Sequence, residues 1–169
     1  MLVSSIVFII SLLLDGILTN YLPYMVSDLS LFTPLLTVTS LVIIYPLLRK
    51  DKRKYLIYCF GAGFIYDLFY TNLLFFNGFI FIVLGLLIIK LYKIFGTGYL
   101  KIIGHVLLII IVYEVLNAFL IIMFNLVPMN LDKLLYKISH SIILNLIYSE
   151  IIYFILKRIP KKYLNVPLN

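Results

Sequence analysis

The chain alternates long apolar runs with short polar interruptions, and run length is the first guide to what each one is. Six runs stand out, at about 2–22, 31–48, 55–71, 73–91, 102–126 and 134–156. Each is near the roughly 20 residues that an α-helix needs to cross a hydrocarbon core. The third is the shortest, at about 17 residues, and suits a thinned or protein-shielded stretch of bilayer. Prolines punctuate the runs: Pro23 follows the first, Pro34 falls in the first turn of the second and Pro46 near its end, Pro128 follows the fifth and Pro160 the sixth. At such places a missing backbone N–H does least harm. The opening run lacks a basic leader and a small-residue cleavage site, so it reads as a first span and not a removable signal. The pattern predicts an all-α integral membrane protein: one domain over residues 1–169, folded as a compact bundle of six transmembrane helices.

Polar residues inside the runs recur at helical spacing, so each span has one side unlike lipid. The first carries Ser11, Asp15 and Thr19, the second Thr33, Thr37 and Ser40, the fifth Glu114 and Asn117, and the sixth Ser141, Asn145 and Ser149. Two readings stay open for these stripes: interhelical hydrogen bonds worth about 1 kcal/mol each, or a polar cavity. The stretch Tyr58–Gly78, YCFGAGFIYDLFYTNLLFFNG, combines more of these signals than any other. Gly61, Ala62 and Gly63 let backbones approach closely, which matters where lipid gives no hydrophobic drive for association. Asp67 lies at membrane depth, where an ionisable group is expected to face protein. A tight polar turn at Thr71-Asn72 should follow, making a helical hairpin at the centre of the bundle. LLLDG at 12–16 faintly echoes FIYDL at 64–68; one matching acid is too little to claim a repeat.

Composition removes the soluble alternative. Apolar residues make up 64% of the chain and charged ones 12%, against about 25% charged in a soluble domain. The net charge of +7 comes from 14 Lys and Arg against 7 Asp and Glu. In a soluble protein that excess would suggest nucleic acid; here it falls in short loops, as a topology signal. Arg49, Lys50, Lys52, Arg53, Lys54, Lys90, Lys93, Lys101, Lys157, Arg158, Lys161 and Lys162 share one side, and only Lys133 and Lys137 the other. The bias places both termini in the cytoplasm. The single cysteine, Cys59, excludes an intramolecular disulfide.

No catalytic set is legible. His105 and His140 stand on different runs, so no HExxH zinc site forms. Asp15 and Asp67 are the candidates for an aspartyl pair, but the run Gly61-Ala62-Gly63 reaches its acid only at Asp67, unlike the Gly-x-Gly-Asp of intramembrane aspartyl peptidases. Phosphate loops and dinucleotide fingerprints are absent from the sequence. No catalytic, cofactor-binding or metal residue is assigned. Glu114, near mid-membrane, is the costliest acid to keep charged, with Asn117, Asn145 or His140 its expected partners and not a lysine.

Residues Gly61, Gly63, Phe64, Tyr66, Asp67, Tyr70, Thr71, Asn72 and Leu73-Leu74, read as G-x-G-F-x-Y-D-x-x-Y-T-N-L-L, resemble the rod shape-determining protein MreD family of bacteria. Chain length, the basic loop before this hairpin, the acid in the first span and the basic C-terminal tail agree with it. The resemblance implies a non-enzymatic component of the cytoplasmic-membrane machinery for cell elongation, without cofactor. Implied partners are MreC, and with it MreB, RodA and a penicillin-binding transpeptidase. The implied fold is similar to the six-helix substrate-binding components of energy-coupling-factor transporters. The expected helix-packing or partner-contact residues are Gly61, Gly63, Tyr66, Asp67, Asn72 and Asp15. The alternative is a small-molecule binder like those vitamin-transporter components, and the interior should discriminate: polar and roomy for a binder, closed by side chains for a scaffold.

Overall fold

The computed structural model describes residues 2–25, 33–48, 51–71, 73–125 and 130–158. They form six helices: α1 (Leu2–Met25), α2 (Leu36–Leu48), α3 (Lys52–Tyr70), α4 (Phe76–Phe95), α5 (Tyr99–Met123) and α6 (Leu131–Arg158). No strand occurs among the described residues. Four of the helices, α1, α4, α5 and α6, are long and apolar enough to cross a membrane. Of the other two, α3 has 19 residues but opens on Lys52-Arg53-Lys54, and α2 has only 13.

The shortness of α2 has a local cause. The sequence predicts a helix from about residue 31 with Pro34 in its first turn, whereas residues 33–35 are non-helical and Pro34 lies outside the helix. Side chains from neighbouring helices take the N–H groups there and fix the helix start at Leu36. At the other end Pro46 stays inside the helix. Its ring leaves the Val42 carbonyl without its usual donor, and the Tyr92 hydroxyl of α4 donates to that oxygen at 3.1 Å. The Tyr55 hydroxyl of α3 donates to the adjacent Leu41 carbonyl at 3.0 Å.

The centre of the bundle is α2, not the hairpin expected there. All 13 of its residues are buried, and it packs against α1, α3, α4, α5 and α6. A helix apolar all round belongs in such a position, and Leu36–Leu48 carries no charge. Around it α1 meets α3, α3 meets α4, α4 meets α5 and α5 meets α6. Ser11 of α1 and Tyr148 of α6 close the ring through their hydroxyls. Ring helices show apolar side chains outward, such as Leu13, Phe69, Phe79, Ile111 and Ile147.

The helix ends sort by charge as the sequence suggests. Exposed Lys52, Arg53, Lys54, Lys93, Lys101, Lys157 and Arg158 sit at the ends where α3 and α5 start and α4 and α6 finish. Tyr45 of α2 packs on Tyr55 of α3 at 4.9 Å and on Tyr92 of α4 at 5.0 Å, which ties two of those ends to the end of α2. Asp51 caps α3, accepting from the Lys54 N–H at 3.1 Å.

Candidate functional site

Two acids inside the bundle do the same work at two places. Asp67, near the end of α3, is fully buried. Its carboxylate accepts from the Asn77 N–H at 2.8 Å, the Asn77 side-chain amide at 2.8 Å, the Gly78 N–H at 3.3 Å and the Thr71 hydroxyl at 2.9 Å. Asn77 and Gly78 lie in the first turn of α4, where backbone N–H groups have no helical partner. A negative charge there meets both those donors and the positive end of the helix dipole. Phe75, at the formal cap position, supplies no side-chain bond and has a left-handed backbone with φ 67°. For a bulky residue that conformation is costly, and its ring stacks on Phe64 at 5.2 Å and Phe60 at 6.1 Å. The turn therefore ends at Phe75, and α4 starts at Phe76 instead of at residue 73.

Backbone proximity lets Asp67 reach. A Cβ on Gly63 would stand 2.6 Å from the Asn77 carbonyl carbon and 2.7 Å from the Gly78 Cα. Further towards the basic end, a Cβ on Gly85 would stand 2.9 Å from the Cys59 sulfur. Gly63 and Cys59 of α3 thus oppose Asn77, Gly78 and Gly85 of α4. Gly61 takes no part in this contact, because a Cβ there would meet nothing within 4 Å. Its place half a turn from Gly63 turns it away from α4, a correction to the packing expected of both glycines.

Asp15 of α1 does for α2 what Asp67 does for α4. It accepts from the Leu36 N–H at 2.7 Å and the Thr37 N–H at 2.8 Å. Asn145 of α6 completes the grip. It accepts from the Leu35 N–H at 2.9 Å and donates to the Thr33 carbonyl at 3.1 Å, while the Thr33 N–H donates to the His140 carbonyl at 3.2 Å. Pro34 has no N–H, so every backbone donor from 33 to 37 has a partner. That accounting is what non-helical backbone at membrane depth requires.

Aromatic hydroxyls tie this layer together. The Tyr113 hydroxyl of α5 donates to the Asn77 side-chain oxygen at 3.1 Å. Tyr66 rests on Tyr70 at 4.9 Å and Phe81 at 5.8 Å. Tyr58 and Tyr70 of α3 donate to the Ser4 and Leu12 carbonyls of α1. Gly16 leaves room for the Tyr70 hydroxyl, which would stand 2.6 Å from a Cβ there. Glu114 makes no hydrogen bond with Asn117, Asn145 or His140 among the described residues.

Asp15, Tyr66 and Asp67 of the expected set thus share one layer, with Gly63 beside it. Asn72 lies outside the described residues. Sequence reasoning missed Asn77, Tyr113 and the unwound entrance at 33–35. Asn77 was the most findable of these, being ten residues from Asp67 across a hairpin. Among the described residues no group of three or more His, Cys, Asp or Glu could hold a metal ion. Among the described residues a cavity of about 550 Å³ is a groove between the ends of α4 and α5 opposite the basic end, lined by apolar residues including Leu74, Phe79 and Phe124.

Two buried acids satisfied by helix starts, a closed ring and an apolar exterior define a multi-helix membrane protein. The family model for the rod shape-determining protein MreD matches residues 2–163, so the chain belongs to the MreD family and has a role in rod shape determination. No curated protein and no solved structure matches it. The similarity to energy-coupling-factor components accordingly has no solved structure behind it.

Proposed function

We propose that this protein is a non-catalytic membrane scaffold of the bacterial cell-elongation complex, binding MreC and helping to organise peptidoglycan synthesis. The carrying observation is how its polar groups are used: Asp15, Asp67, Asn77 and Asn145 are bonded to the protein's own backbone and side chains. A reaction centre needs free donors or acceptors aimed at a substrate. In this reading all six helices span or fill the membrane as one domain, with both chain ends on the cytoplasmic, basic side. MreB, RodA and a penicillin-binding transpeptidase join through the same assembly.

The vitamin-binding alternative needs a roomy polar interior. The two cavities described have apolar walls and open at the surface, and the core around α2 is filled by Leu, Ile, Val and Tyr side chains, which favours the scaffold. Photocrosslinkers at outward-facing Phe79 and Phe124 should give MreC adducts in intact cells, while one at buried Leu84 should not. Absence of adducts from outward positions on every ring helix would count against the scaffold.

A further inference from the structure

The two cavities described lie along one seam, between α4 and α5. At the basic end about 220 Å³ opens between Leu91 and Phe95 of α4 and Gly104 and Leu108 of α5. At the opposite end about 550 Å³ opens between Phe76 and Phe79 of α4 and Leu120 and Phe124 of α5. Helical spacing joins them. On α4, Phe79, Val83, Leu87, Leu91 and Phe95 fall four apart. On α5, Leu108, Val112, Leu116, Leu120 and Phe124 do the same. Residues four apart line up as a ridge along a helix, so each row runs from one cavity to the other. At about 1.5 Å per residue each row is roughly 24 Å long. Val83 is exposed, Leu87, Val112 and Leu116 are half-buried, and neither row holds a polar residue. The two rows flank an apolar furrow across most of the ~30 Å hydrocarbon core.

The furrow cannot close by the helices drawing together. Phe81 of α4 meets Tyr113 of α5 at 6.3 Å, and Tyr92 of α4 meets His105 of α5 at 4.5 Å. All four rings are buried, and they set the distance between the two helices from the core side. The α3–α4 seam is built the other way, with Gly63 letting the backbones meet.

Length and charge say what fills such a space. An acyl chain enters from one leaflet and reaches about half of the core, roughly 15 Å. The furrow passes through both halves without a break, which matches a helix crossing the whole bilayer. Neither mouth would hold a lipid headgroup. Leu73, Leu74 and Phe75 frame one, and at the other the Lys101 side chain lies over the 96–98 loop. Walls without charge from end to end accept a span without charge, because an ionised group facing them would be stranded. Where lipid gives no hydrophobic drive, close packing of a helix into a rigid furrow is what holds the two together. We propose that the α4–α5 furrow seats one uncharged transmembrane helix of a partner protein. On the scaffold reading, on which this rests, MreC supplies that helix.

Photocrosslinkers in the full-length protein in intact cells test the seat. At Phe79 and at Leu108 they should give MreC adducts about fivefold above those at Leu13 of α1 and Ile147 of α6, which are exposed elsewhere on the ring. The Phe79 and Leu108 adducts should map to opposite halves of one MreC span. Adducts at Leu13 or Ile147 with none in the furrow overturn the seat and leave the scaffold standing; none at any of the four positions overturns the seat and counts against the scaffold as well. Furrow adducts to lipid or to a second copy of this chain, in place of MreC, also overturn the seat. Filling the furrow gives a second readout. A side chain at Gly104 meets open space, so Gly104→Leu puts bulk into one end, and Val83→Trp does so further along. Each should lower recovery of MreC with the purified protein about fivefold at an unchanged unfolding midpoint, while Ile147→Trp should leave recovery unchanged. Equal loss in all three, or no loss in either furrow variant, overturns the proposal.

Discussion

Asp67 grips a residue ten positions further on, whereas Asp15 grips one 21 positions further on. Each acid caps the next helix in the chain, yet the two steps rest on different support. In α3–α4 everything needed is local: Gly63 brings the backbones together, Phe75 takes the left-handed turn, and Asp67 closes it. In α1–α2 the connection is longer, and Asn145 of α6 must hold residues 33–35 before the cap is complete. The α3–α4 step is thus self-contained, and the α1–α2 step depends on a helix more than a hundred residues away.

The sharpest way to break this comparison is Asp67→Ala. It strands the Asn77 and Gly78 donors in a buried site and should cost about 4 kcal/mol, read as a large fall in the detergent unfolding midpoint; a small change would refute the capping account. Next comes Gly63→Ala, whose Cβ would enter the Asn77–Gly78 backbone, at about 2–3 kcal/mol. Gly61→Ala should be neutral or mildly stabilising by the same measurement, since open space surrounds it and alanine favours helix. Equal effects at the two glycines would remove Gly63 from the argument.

Asp15→Ala should cost less than Asp67→Ala, about 2–3 kcal/mol, because Asn145 still holds the neighbouring backbone. Combined with Asn145→Ala, a double-mutant cycle should show coupling of about 1 kcal/mol, while Asp67 and Asn145 should prove additive. Tyr92→Phe strands only the Val42 carbonyl left by Pro46, for about 1 kcal/mol. The smallest effect concerns Asp51, whose carboxyl is held below its ordinary value first by the Lys54 N–H and further by the Lys54 charge. A carboxyl lowered on folding adds stability above its unfolded value and loses it as pH falls through the folded one. Acid should therefore lower the amide protection factors at the start of α3, exchange being compared with the unfolded chain at the same pH, and Asp51→Ala should abolish that dependence.

Much of this was legible from residue pattern. The helical membrane class followed from apolar runs and scarce charge, and the family followed from the short stretch around Asp67. The sequence also hinted, at 12–16 and 64–68, that two acids were alike; the structure gives them one task. What stayed hidden depended on contacts between distant segments. Asn145 looked like one more polar residue in a stripe, because nothing local links it to Thr33. The central place of α2 was obscured by Pro34 and Pro46, which made it look like an ordinary span instead of a shortened one. Gly61 and Gly63 look equivalent in sequence, and only the position of α4 separates them.

The brevity of α2 bears on how the protein is made. At about 1.5 Å per residue, its 13 residues cover roughly 20 Å, short of the ~30 Å hydrocarbon core. During synthesis it emerges second, before α5 and α6 exist to enclose it and before Asn145 can receive the non-helical segment that leads into it. The newborn amino-terminal half must wait, incompletely folded, until the last helix arrives.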